Sequence, residues 1–270
     1  VKFKIPVSVN LLSPMTLTKP SDFLSAVQLF CDELPEITPE KWGWWEPLDC
    51  DFDRNNLRDL IPGSGISETV YWQRKKLPKS EGSFAVRWRS KSPAVSDTHA
   101  RIGFTVELKQ IEQASLVSYI KNASTVFSAD IAFFDVLTPE YTEFSVESGS
   151  APYGDRLMVV THLLRHWLPD IFWATVLGPP YVRIFGKDRL LSAPAYAVED
   201  LGPETVYVQL TKNLADAYER GSELQLARNS FKEHLRSNAF FVEGKGYDRL
   251  QKGAVGDVFE VPKFDLVEDE

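Results

Sequence analysis

Residues 67–108 read SETVYWQRKKLPKSEGSFAVRWRSKSPAVSDTHARIGFTVEL, and within them apolar side chains recur at every second position in three runs. Val70 and Trp72 form the first, Phe84, Val86 and Trp88 the second, and Ile102, Phe104, Val106 and Leu108 the third. A period of two is the pattern of a strand with one buried face. Short connections suit an antiparallel meander, since parallel pairing requires a crossover of roughly a dozen residues or more, usually helical. The opposite face carries Tyr71, Gln73, Arg87, Arg89, Thr105 and Glu107, and is expected to be solvated or used for binding.

Outward from the meander, helix and strand patterns alternate. Phe23, Leu24, Val27, Phe30, Cys31 and Leu34 form one stripe over Ser21 to Leu34, which predicts an amphipathic helix docked on the sheet. Leu116, Val117, Ile120, Ala123 and Phe127 mark a second helix, and Asp130 to Leu137 an apolar strand. The stretch SVESGSAPYG, residues 145–154, has linker composition and places a soft boundary between halves 1–148 and 149–270. In the second half a helix is expected over Arg156 to Leu168 and a buried strand over Phe172 to Leu177. Gly178-Pro179-Pro180 opens a short helix, Tyr181 to Phe185, that Gly186 stops. Val206, Val208 and Leu210 alternate as a strand. Ser222 with Gln225 has capping-box spacing before the stripe Leu224, Ala227, Phe231 and Leu235. The expected class is α+β: antiparallel sheet flanked by helices, in two loosely similar halves packed as one globule, with no repeat of fixed period.

Composition narrows the functional classes. A chain of 270 residues with 43% apolar and 25% charged side chains buries a sizeable core without disulfide or metal staples. The two cysteines, Cys31 and Cys50, share no metal-ligand spacing, and a reducing compartment is the simplest reading. No apolar run reaches membrane-spanning length, and Val1 to Leu12, broken by Lys2, Lys4, Pro6 and Asn10, is not expected to be a signal-peptide core. A cytoplasmic protein is expected. The net charge of −8 makes nucleic acid an improbable partner, because phosphates demand clustered cations; solubility is the plain reading of that charge.

The chemistry-bearing residue types do not assemble into a motif. His162 and His166 lie four apart, on one helical face, but lack the glutamate of an HExxH site; a hydrogen-bonded helix end is favoured over zinc. Asp49, Asp51 and Asp53 alternate as cation ligands would, yet Arg54 and Leu60 stand where a calcium loop needs Gly and Glu, so a polar turn is favoured. Gly63-Ser64-Gly65 fits neither a nucleophile elbow nor a phosphate loop. Glu46, Asp51 and Glu107 are the first carboxylates to consider as a hydrolytic pair, whose distance only a fold can set. No cofactor and no catalytic residue are predicted.

Two segments are candidates for contact with a partner. Lys41-Trp42-Gly43-Trp44-Trp45-Glu46-Pro47 concentrates three of seven tryptophans in a loop rich in Gly and Pro. Packing is the usual fate of an indole, with a contact surface as the alternative. Residues 72–91 carry Arg74, Lys75, Lys76, Lys79, Arg87, Arg89 and Lys91 against the single acid Glu81, a local reversal of charge. A solvated hairpin with lysines protecting an edge is favoured over a grip on phosphate.

The stretch from His162 onward, with GPPYVRIFGKDRLLSAP at residues 178–194 and FKEHLRSNAFF at 231–241, resembles bacterial immunity proteins of polymorphic-toxin systems, of the immunity protein 52 type and its relatives. Trp42-Gly43-Trp44 and Ala129 to Thr138 are similar too. The resemblance implies a cytoplasmic inhibitor that occludes a cognate toxin or effector, including those delivered by type VI secretion. The first expectation is therefore a non-enzymatic, partner-binding protein using Trp42, Trp44, Trp45, Asp49, Asp51, Asp53, Arg74, Arg87 and Arg89. The alternatives are a hydrolase or transferase, and a phosphate or nucleic-acid binder using the hairpin at 74–91.

Overall fold

Trp72, Gly82 and Phe104 stand opposite one another on three adjacent strands, and the glycine is what lets the indole lie flat there. A Cβ at Gly82 would come within 2.6 Å of the Trp72 ring, the Phe104 Cβ and the Gly103 carbonyl. The computed structural model describes residues 2–63, 67–87, 99–138 and 168–240, with Val159 and Leu164 besides.

Among the described residues ten strands form one sheet: β1 (Pro6–Ser13), β2 (Lys41–Gly43), β3 (Cys50–Asp51), β4 (Ser67–Arg74), β5 (Ser80–Arg87), β6 (Ala100–Glu107), β7 (Ile131–Val136), β8 (Ala174–Leu177), β9 (Ala197–Gly202) and β10 (Thr205–Gln209). Their spatial order is β3-β2-β4-β5-β6-β1-β7-β8-β10-β9, with every neighbouring pair antiparallel. The class is α+β, and β4, β5 and β6 are the meander read from residues 67–108. Across the predicted boundary the sheet continues, because β7 pairs with β8 through Phe134 and Ala174. Strand β1 sits between β6 and β7 at the centre, where Val7, Val9 and Leu11 have the same period of two.

Among the described residues, helices cover both faces: α1 (Pro20–Glu33), α2 (Gln113–Val126), α3 (Pro179–Phe185), α4 (Lys187–Leu191), α5 (Asp216–Glu219) and α6 (Gly221–Leu235). The face bearing Trp72, Phe84 and Phe104 packs on α1 and α2. Phe30 of α1 lies 5.0 Å from the Trp72 ring, 5.3 Å from Phe104 and 5.9 Å from Tyr119 of α2, centroid to centroid. Such tilted and edge-on pairs contribute about 0.5–1.5 kcal/mol each beyond their burial. On the opposite face α6 reaches β7 through Arg228 and Asp135, and α4 reaches β9 through Lys187 and Asp200.

Gly186 ends α3 as predicted, with φ +82°, a value that suits glycine because it has no Cβ to clash. The predicted capping box does not form: Ser222 lies inside α6, and Gln225 donates to Asn229 at 3.1 Å instead. The first turn is closed by Arg220, whose guanidinium bridges Asp216 at 2.6 Å and Glu223 at 3.1 Å. The linker at 145–154 and most of the helix predicted over Arg156 to Leu168 lie outside the described residues; Leu168 itself forms an isolated parallel bridge to Phe240.

Candidate functional site

The tryptophan-rich segment is not one loop but an edge of the sheet. Strand β2 inserts between β4 and β3, placing Trp42 opposite Trp72 on the core face and Lys41 opposite both Gln73 and Asp51 on the other. Period-two geometry then divides the indoles. Trp42 is buried and meets Trp44 edge-on at 5.8 Å; Trp44 is half-buried; Trp45, in the turn to β3, is 82% exposed.

The outermost strands enclose a groove of about 740 Å³ that gathers Asp49, Asp51 and Arg74, three of the predicted partner-binding residues. Glu40, Lys41, Lys75 and Lys76 add charge to its walls, and Leu48, Phe52 and Pro39 supply apolar surface. Lys41 Nζ lies 2.7 Å from Asp51 and donates to the Asp49 carbonyl at 3.3 Å; the Asp51 carboxylate holds the ammonium above its ordinary range. Burial would push the Glu40 carboxyl up, but two backbone N–H groups, of Lys75 and Lys76, and the Lys76 ammonium at 3.1 Å outweigh it and hold it at about 2. Arg74 donates from Nη1 to the Thr38 carbonyl at 3.2 Å, while its buried Nε has no hydrogen-bond partner.

Other predicted residues fall elsewhere. Asp53 is exposed and accepts the Asn55 N–H at 2.9 Å, a polar turn, and the neighbouring Arg54 ties the loop to Asp32 of α1. Arg87 belongs to β5 by its backbone, and its side chain lies outside the described residues, as do Arg89, His162 and His166. The carboxylates Glu46, Asp51 and Glu107 do not converge. Four strand spacings separate β3 from β6, roughly 19 Å, and Glu107 is occupied by the N–H groups of Lys4 at 2.7 Å and Ile5 at 3.0 Å. The polar face of the meander is only partly open, contrary to expectation: Tyr71 is exposed and Gln73 half-buried, but Thr105 and Glu107 are buried towards the sheet centre.

The largest omission of the sequence reading is a set of buried and half-buried polar and charged pairs. Asp135 accepts the Trp173 N–H at 2.9 Å and pairs with Arg228, whose Nε also donates to the Ile171 carbonyl at 3.0 Å. Burial pushes the Asp135 carboxyl up, and the Arg228 guanidinium opposes that shift. His99 and Asp130 meet at 3.0 Å, both buried, and Lys232 meets Asp170 at 2.5 Å. The only sequence signals were single charged residues inside apolar patterns, such as Asp135 in IAFFDV. Among the described residues no three His, Cys, Asp or Glu side chains gather as a metal site. Cys31 and Cys50 are free thiols; Cys31 is buried in α1, and that burial pushes its thiol up to about 11. No helix among the described residues is long and apolar enough to cross a membrane. No family model matches the chain, and no curated protein matches it significantly.

Proposed function

We infer that the chain is an immunity-type inhibitor, a cytoplasmic protein that binds a cognate bacterial toxin and neutralises it by occlusion. The observation that carries this reading is the sheet-edge groove, where charged side chains of both signs adjoin the segment bearing the 82% exposed Trp45. Tryptophan and arginine are the residue types that most often dominate binding energy at protein interfaces. A net charge of −8 favours fast association with a basic partner, because complementary fields steer encounter. The likeness of GPPYVRIFGKDRLLSAP to immunity proteins supports a toxin as the partner class.

The test mixes the purified protein with the product of the adjacent gene. The expected result is a stable complex in size-exclusion chromatography and loss of that product's activity. Absence of a complex at micromolar concentration of both components overturns the proposal.

A further inference from the structure

The geometry points to the occupant of this groove: a polypeptide segment that presents an acidic side chain to Arg74 and, a few residues away, a basic side chain to Asp49. The inference rests on the partner-binding reading above and specifies what the partner must offer.

A guanidinium carries five N–H donors in a planar fork. Arg74 uses one of them on the Thr38 carbonyl, and its buried Nε has no partner. That Nε is closed to an incoming group, but N–H groups on Nη1 and Nη2 remain for a carboxylate in the groove, which the planar guanidinium can hold by two parallel bonds. Asp49 lines the same groove and is exposed; its backbone carbonyl accepts from Lys41, whose ammonium is held chiefly by the Asp51 carboxylate and only more weakly by that of Asp49. Its carboxylate is therefore available to a cation. Half-buried Leu48 and Phe52 add apolar surface to the same groove. At about 740 Å³ the groove has room for several side chains. The lining carries Lys41, Arg74, Lys75 and Lys76 against Glu40, Asp49 and Asp51, a near balance of charge that suits a segment bearing both signs.

Selection of displayed random 12-residue peptides on the wild-type protein, Arg74→Gln, Arg74→Lys and Asp49→Asn tests this, with circular dichroism confirming that each variant is folded. The wild type is expected to enrich peptides that combine Asp or Glu with Lys or Arg. Both Arg74 variants should lose the acidic preference, since lysine keeps the charge but not the fork, and Asp49→Asn should lose the basic one. A synthetic copy of the best peptide should bind each variant about tenfold more weakly in calorimetry. Unchanged enrichment on all variants, enrichment without charge preference, or displacement of the peptide by inorganic phosphate or single-stranded DNA overturns the inference. A toxin complex indifferent to both substitutions sinks this inference and leaves the immunity reading standing. Variant-sensitive peptide binding with no toxin complex does the reverse.

Discussion

Arg228 of α6 and Asp135 of β7 form an ion pair sealed inside the protein, at side-chain exposures of 9% and 1%. The guanidinium also holds the Ile171 carbonyl, and the carboxylate also holds the Trp173 N–H, so one pair fastens a helix, a strand and the chain leading into β8. Breaking a buried pair leaves an uncompensated charge and costs about 3–5 kcal/mol, whereas replacing both partners by apolar residues of similar volume is often neutral. Arg228→Met alone should therefore lower urea stability by about that amount. The double variant Arg228→Met with Asp135→Leu should recover most of the loss, less the cost of orphaning the Trp173 N–H and the Ile171 carbonyl. Additive losses in the double variant would contradict this account.

Gly82 makes a second prediction. An added methyl would meet three groups at 2.6 Å, one of them a backbone carbonyl that cannot rotate away. Gly82→Ala should destabilise by about 1–3 kcal/mol, the usual cost of overpacking, with a blue or red shift of tryptophan emission as Trp72 moves. An Ala variant as stable as the wild type would show that the indole is not held against this glycine.

Glu40 links the groove to pH. Its folded carboxyl stands at about 2, against an ordinary 4.5, so the unfolded chain takes up the proton first as acid is added. The stabilisation is fully present above about 4.5 and is lost as pH falls towards 2. Glu40→Gln should flatten this part of the acid limb in thermal melts while leaving the difference between pH 6 and pH 8 unchanged. A wild-type acid limb in the variant would remove Glu40 from the explanation.

Two tryptophans three positions apart, Trp42 and Trp45, should behave oppositely. Trp42 is 6% exposed against Trp72, and Trp42→Ala should cost about 3 kcal/mol or more in stability. Trp45, 82% exposed, should change stability by no more than about 0.5 kcal/mol on Trp45→Ala. If the proposed interface is right, Trp45→Ala weakens the complex by about tenfold or more. Equal stability losses would mean that the turn after β2 packs more tightly than its exposure indicates.

What residues 67–108 determined by themselves was strand identity and facing. Alternation specifies a buried face directly, because successive side chains leave a strand on opposite sides, and so Trp72, Phe84 and Phe104 could be assigned to the core without coordinates. Stripe spacing did the same for Phe23, Phe30 and Phe231, and Gly186 announced a helix end. Strand order was not legible. That β1 lies between β6 and β7, and that Lys41, Gln73, Glu81, Thr105, Ser8 and Asp135 fall in one row across six strands, depends on pairings between residues far apart in the chain. The same holds for the groove: Asp49 and Arg74 are 25 positions apart, and only the insertion of β2 between β3 and β4 brings them to one edge. Local periodicity reports which way a side chain points, but which charges share a space is fixed by long-range register, and that is a property of the tertiary structure alone.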